Sequence, residues 1–300
     1  MASRATTRTY GEVLPWLEMA RRRPGQAVRE VITYILLVLG AGVFLLPLFW
    51  LITTALKPKD QLYVFPPQFF PRVFRWQNFP EGWTYRNMNF PRWMLNSLFI
   101  AGMVLIATLL TSSLCAYGFA RIRFPGRDFW FMIMLASIML PGQVTLIPIY
   151  IAFYKIGWLD TFKPLIIPPW FGGGAFNIFL LRQFFRQIPS ELEDAARIDG
   201  ANYWVIWWRL FLPLSRPAIA TVAVFTFQAV WNDFYGPLIF LTSQDKYTLA
   251  LGINMFKGMY TTEVNLMMAM AMLMVVPMVI VFFFAQKLMI RGVILTGLKG

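Results

Sequence analysis

Five ionisable side chains crowd into nine residues of an otherwise apolar chain: Glu191, Glu193, Asp194, Arg197 and Asp199. Ser190 stands three residues before Glu193. That is the spacing of a capping box, in which the serine oxygen takes a free helix amide and the glutamate reaches back to the cap. Glu191, Glu193 and Asp194 fill the first turn, where carboxylates favour the positive helix end. Leu192, Ala195 and Ala196 fall at i, i+3 and i+4, a narrow face whose small side chains permit close docking. Gly200 closes the helix where a left-handed residue is common. A second helix follows, with Tyr203, Trp204, Trp207, Trp208 and Phe211 on one face, suited to a membrane interface. Pro213 ends it. Taken alone, the stretch is a short helix–turn–helix, and a well-capped amphipathic linker would look the same.

The remaining chemistry is sparse. The chain has no histidine and one cysteine, Cys115, so an intramolecular disulfide, a Cys/His metal site and histidine acid–base catalysis are all excluded. Asp233 is the one ionisable residue in the middle of an apolar segment, and such charges are functional candidates by default. Its neighbours Trp231 and Asn232 suit a sugar, an indole face stacking on apolar sugar faces and an amide pairing with hydroxyls. The competing reading is a structural polar lock, with Gln228 as one partner. Met267–Met274 could form a soft ligand surface, but such a run in a packed helix is usually core. Gly172-Gly173-Gly174 lacks the Lys-Ser/Thr of a phosphate loop and is expected to loosen a loop or helix start near the outer face.

The elements that must position these residues are membrane helices. The 300 residues are 58% hydrophobic and only 14% charged, against about a quarter charged in soluble domains. Six segments reach the roughly 20 residues needed to span a bilayer: Val31–Leu56, Trp93–Phe119, Phe129–Tyr154, Pro164–Leu181, Ala218–Leu241 and Val264–Gln286. Val31–Leu56 is too long for a signal peptide and lacks a small-residue cleavage site, so it reads as a retained first span. With both termini inside, the inner segments carry 17 Lys and Arg and the outer ones 10, the bias of the positive-inside rule. The net charge of +13 therefore records topology, and no basic face remains for nucleic acid. Residues 1–30, with Arg21-Arg22-Arg23, form a basic segment expected at the inner leaflet, against anionic lipid. Residues 31–92 comprise the first span and a proline- and aromatic-rich external loop. Residues 93–290 form a five-helix core containing the charged loop at 189–213, and 291–300 a short tail. Pro141, Pro148, Pro168, Pro169 and Pro277 lie inside spans, where kinks are tolerated if helices pack together or line a cavity.

One long, ungapped pattern carries a resemblance. Asp194-Ala195-Ala196, three residues, Gly200, nine residues, Leu210, one residue and Leu212-Pro213 resembles the EAA loop of permease subunits of ATP-binding-cassette importers. Asp194 stands for the usual Glu and Leu210 for the usual Ile. Leu95–Leu98, Ala116–Arg121, Phe176–Phe185, Trp231–Phe234 and Gly297–Gly300 extend the likeness to the carbohydrate-uptake branch, in particular the smaller permease subunit of maltose-type systems, over residues 30–300.

The resemblance implies an all-α polytopic membrane protein of the type I importer class, with six transmembrane helices and a cytoplasmic coupling helix. It implies a non-catalytic subunit with no cofactor of its own, ATP and Mg being held by partner ATPases. Glu193, Asp194, Ala195, Ala196, Arg197, Asp199, Gly200, Leu212 and Pro213 would couple to a groove on that ATPase, the acidic turn meeting its arginines or lysines. The implied partners are a second permease, two ATPases, an extracytoplasmic sugar-binding protein and lipid. In such systems the larger permease makes most sugar contacts, which favours a structural role for Asp233, a pair with the partner permease included. The loop Ser243–Glu263 would enter the binding protein's cleft through Asp245, Lys246, Tyr247 and Thr248, though a plain solvated connection reads the same. The tail would reach the ATPase dimer interface. A di- or oligosaccharide is the implied cargo, with a polyol or glycerophosphodiester as the alternative. A secondary transporter would show an internal repeat, which is not visible, and a membrane enzyme would need convergent catalytic residues.

Overall fold

The structure, a computed structural model, describes residues 24–257 and 263–297. The expected basic segment before residue 24 and the last three residues of the tail lie outside the described residues. Among those described there is no β-strand. The order is α1 (Pro24–Ala55), α2 (Asn78–Trp83), α3 (Phe90–Arg121), α4 (Arg127–Ala136), α5 (Gly142–Lys155), α6 (Lys163–Ile166), α7 (Ala175–Gln187) and α8 (Ser190–Ile198). After it come α9 (Tyr203–Ile206), α10 (Arg216–Trp231), α11 (Tyr235–Phe240), α12 (Leu249–Ile253) and α13 (Val264–Gly297).

Four stretches are long and apolar enough to cross a membrane: Val28–Ala55, Phe90–Arg121, Lys163–Gln187 and Val264–Leu288. Two further pairs, Arg127–Met139 with Gly142–Lys155 and Tyr203–Leu214 with Arg216–Trp231, are bent by 96° and 81° and bring the number to six if each is one span. The chain divides into two units between Thr53 and Thr54. Most apolar side chains of α1 are exposed, Phe44 at 86%, as befits a helix whose solvent is lipid.

In the second unit, α3 is the spine. Its 32 residues rise about 48 Å at 1.5 Å each, so it can hold two separate cores. Trp93, Phe90 and Ala101 of α3 gather Phe227 and Trp231 of α10, Leu249 of α12 and Leu266, Ala269 and Met270 of α13. Met270 is fully buried and Met267, Met268 and Met274 pack on the same cluster, so the methionine run is core. Towards the other end, Ala116 and Tyr117 gather Leu181 and Phe185 of α7, Trp207, Phe211 and Val222.

Three of the six expected spans are not continuous helices. Phe129–Tyr154 breaks at Leu140-Pro141, where both residues are extended. Pro164–Leu181 breaks at a 3₁₀ turn, Pro168–Trp170, followed by Gly172, Gly173 and Gly174, all with positive φ. The run does precede a helix start, Gly174 standing at the N-terminus of α7, but it is not a loose outer loop. A Cβ on Gly173 would come within 2.7 Å of the Thr108 carbonyl oxygen and 2.9 Å of Ser112 and Thr111, so Gly173 lets the break press against the middle of α3. Ala218–Leu241 breaks at Asn232–Phe234. Pro148 and Pro277 lie inside continuous helices.

Candidate coupling site

Pro189, extended at φ −55° and ψ 137°, sets the start of α8, and no side chain caps it. The capping box expected from Ser190 and Glu193 is not formed, because Glu193 turns inward. It is 6% exposed. Its Oε1 accepts from Arg197 Nη2 at 2.7 Å, one turn along, and its Oε2 lies 3.9 Å from Arg121 Nε. A buried carboxylate with two guanidiniums is stabilised more by that charge pairing than by a helix cap.

Arg121, the last residue of α3, is the junction. Its Nη2 donates to the carbonyls of Phe185, at 2.7 Å, and Ile188, and its guanidinium lies 5.0 Å from the Phe211 ring centre. One side chain thus ties α3, the end of α7, α8 and the turn after α9. Arg121 had no role assigned from sequence, although it ends the quoted run Ala116–Arg121; nothing in its type or spacing shows that it faces Glu193, 72 positions on.

The opposite face of α8 is open. Asp194 and Ala195 are exposed, Leu192 is 43% exposed and Ile198 87%. Ala196 instead turns inward against the core, so the expected small face is split between inside and outside. Ile198, missed at sequence level, adds a large apolar side chain to the open face. Arg197 lies 4.8 Å from the Tyr203 ring centre, and the hydrogen bond to Glu193 holds its pKa above the usual value.

Beyond α8, exposed Asp199 caps the helix and Gly200 turns at φ +84°. Gly200 N donates to Arg197 O at 3.0 Å and Ala201 N to Ala196 O at 2.9 Å, the paired bonds of a Schellman end. Asn202 caps α9 through Val205 N at 3.0 Å. The helix then widens into a π-turn, Trp207–Phe211, just before Pro213, whose missing N–H and ring oppose an ordinary α-turn there. The expected aromatic face is split: Trp207 and Phe211 are buried, while Trp204 is 66% and Trp208 58% exposed. Pro213 does not end the helix; Leu212–Leu214 continues it for a turn, half-buried Leu212 on the core, and the bend comes at fully buried Ser215.

The second candidate group is a different kind of site. Trp231 is 1% exposed, stacks on Phe227 at 5.4 Å and donates Nε1–H to Met274 O at 3.0 Å. It is a packing element and offers no face to a sugar. Asn232 donates to Gln228 O at 2.9 Å, so the expected Asp233–Gln228 lock is not the one formed. Asp233 Oδ1 accepts from Gly236 N at 3.1 Å and starts α11 after the break.

The third group is tied to the N-terminal end of α3 by hydrogen bonds. Asp245 pairs with Arg92 at 3.1 Å, Asn96 donates to the Asp245 and Tyr247 carbonyls, and Trp93 Nε1 donates to Gln244 O at 2.8 Å. Thr248 is buried and precedes α12, whose Gly252 lies against Trp93. This is a packed segment, not a solvated connection, although 258–262 fall outside the described residues. Its anchor is Asp160, left-handed at φ +54°. The Asp160 carboxylate accepts from Thr242 N at 3.0 Å, Ser243 N at 2.9 Å, Ser243 Oγ at 2.5 Å and Lys246 Nζ at 2.7 Å. Burial pushes this carboxyl up, but the bonds from Lys246, Ser243 and Thr242 outweigh it and hold the pKa well below the usual carboxylate range.

Comparison with known proteins fits this arrangement. The diacetylchitobiose uptake system permease protein of Streptomyces coelicolor is 31% identical over 258 residues, 85% of this chain and 84% of that one. The sn-glycerol-3-phosphate transport system permease protein of Escherichia coli is 31% identical, covering 88% and 95%. A crystal structure of a bacterial ABC transporter involved in import of the acidic polysaccharide alginate superposes with TM-score 0.76 at 21% identity over 88% of this chain and 97% of that one. Residues 108–295 match the family of binding-protein-dependent transport system inner membrane components. That stretch takes in the Arg121 junction, the whole of α8 and the Asp160 anchor, and the chain belongs to this family, the permease subunits of ABC importers.

Proposed function

We propose that this permease forms half of the pathway of a carbohydrate importer and serves as its mechanical link to ATP hydrolysis. The cargo is a di- or oligosaccharide, in keeping with the names of relatives such as the diacetylchitobiose permease. One copy pairs with one related permease and two ATPases, both termini lying on the ATPase side. The chain is non-catalytic, and ATP and Mg belong to the ATPases. The observation that carries the reading is the two-sidedness of α8: Glu193 is buried beside Arg121, while Leu192, Asp194, Ala195 and Ile198 are open. An ATPase gripping the open face would move α3 and α7 through Arg121. Asp245 and its neighbours would meet the binding protein on the other side of the membrane.

Asp194→Lys tests it. The variant should remain in the membrane and either lose its ATPases on purification or hydrolyse ATP without uptake; normal retention and uptake would refute the role of α8. A glycerophosphodiester or polyol cargo is the second reading, favoured by the 31% identity to the glycerol-3-phosphate permease. Uptake competition between an oligosaccharide and glycerol phosphate separates the two.

A further inference from the structure

The loop from α3 to α4 borders an open cleft of about 400 Å³ lined by Arg123, Phe124, Gly126, Arg127, Asp128 and Phe129. Arg123 is exposed and has no hydrogen-bond or ion-pair partner among the described residues. Arg127 and Arg182 share the one acid, Asp128, at 3.1 and 3.6 Å. Arg186 of α7, also exposed, lies close enough to act on both Asp128 and Arg182. Three guanidiniums, those of Arg127, Arg182 and Arg186, thus act on one carboxylate, and Arg123 adds a fourth positive charge on the wall of the cleft.

The wall of the cleft leads directly onto apolar surface. Phe129 is 63% exposed, Trp130 55%, Met132 64% and Ile133 46%, and of α4 only Phe131 is buried, held under the Arg182 guanidinium at 3.8 Å. A ligand that fits must carry an anionic head and a long apolar tail side by side. From this juxtaposition we propose that the cleft binds the phosphodiester headgroup of an anionic phospholipid, with an acyl chain lying along exposed α4. Basic pockets between helices at a membrane surface bind such headgroups, and interfacial aromatics suit the same depth. The site is separate from the open face of α8 and independent of the cargo.

The test uses the full chain released from vesicles of phosphatidylglycerol and phosphatidylcholine in equal amounts, with retained lipid counted by native mass spectrometry. Wild-type protein should keep phosphatidylglycerol preferentially. The preference should fall roughly fivefold for each charge removed in Arg123→Gln and Arg127→Gln, and should persist in Arg209→Gln/Arg216→Gln, whose arginines carry the same charge outside the cleft. Equal retention of both lipids by the wild type would overturn the proposal. So would a preference that survives the cleft variants or falls as much in the control, since the binding would then be diffuse attraction to a basic surface. Displacement of the bound lipid by inorganic phosphate would likewise overturn it, assigning the cleft to a soluble anion.

Discussion

Arg121 shows how much of a transport subunit can depend on one side chain. It supplies donors to two helix-end carbonyls and a charge to Glu193, and no other described residue does both. Replacing it with glutamine leaves Glu193 buried with only half-exposed Arg197 and strips the Phe185 and Ile188 carbonyls. Breaking a buried pair from one side costs about 3 kcal/mol or more. Arg121→Gln should therefore lower the thermal midpoint of the solubilised complex, and its ATPases should remain bound, because the open face of α8 is untouched, while uptake per ATP falls. Uptake per ATP equal to wild type would remove Arg121 from the transmission route. Asp160 gives a prediction of a different kind. A carboxyl held below its ordinary pKa contributes stability that is complete above that ordinary value, near 3.9, and is lost as pH falls through the lower folded value. Exchange protection of the Thr242 and Ser243 amides should thus be flat from neutral pH to about pH 4 and decline only in stronger acid. Asp160→Ala should lack it throughout. A loss of protection between pH 7 and 5 would contradict the bonding at Asp160.

At the scale of elements, hydropathy reads composition and is blind to backbone direction. Helices that are simple apolar rods were therefore legible: Trp93–Phe119 became Phe90–Arg121, and Val264–Gln286 became the first part of Val264–Gly297. The breaks were not, because each is made by a contact distant in sequence. Gly173 is left-handed and lies against α3 at Thr108, and nothing in Gly172-Gly173-Gly174 names that neighbour. The prolines show the same limit, Pro141 standing at a 96° bend and Pro148, in the next helix, at none. At the coupling site the charges, Gly200 and the two-helix plan were legible. The inward turn of Glu193 was not, since a capping box and a buried ion pair call for the same residue. Gly173→Val follows from the contacts. A β-branched side chain at φ +68° carries about 1–2 kcal/mol of backbone strain and drives α7 off α3 at a further cost of about 1–3 kcal/mol. It should lower the yield and melting temperature of the solubilised protein sharply. Gly118→Ala, in the same α3 with nothing within 4 Å of its Cβ, should leave them unchanged or raise them. Similar effects from both would mean the break at Gly173 is not pressed on α3.

For the whole molecule, sidedness gathers these parts into one machine. The Arg121 junction and α8 lie at the C-terminal end of α3, and the Asp245 segment lies at its N-terminal end, against Arg92 and Asn96. With α3 about 48 Å long, one end must face each side of a bilayer. The placement of Lys and Arg, 17 against 10, is what the positive-inside rule expects if α8 lies inside, where ATP is. The positive-inside rule weighs short loops most, and those around α8 hold the arginines Arg121, Arg123, Arg127, Arg186 and Arg197. Single cysteines in a Cys115-free background report this directly. Ser243 is a poor choice, since its hydroxyl is bonded to Asp160, whereas Gln244 and Arg209 are exposed and leave both anchors intact. A membrane-impermeant maleimide applied to sealed cells should label Gln244→Cys and spare Arg209→Cys until the membrane is opened. The reverse pattern would place α8 on the side without ATP, and the coupling role of Asp194 would fall with it, however well α8 is built.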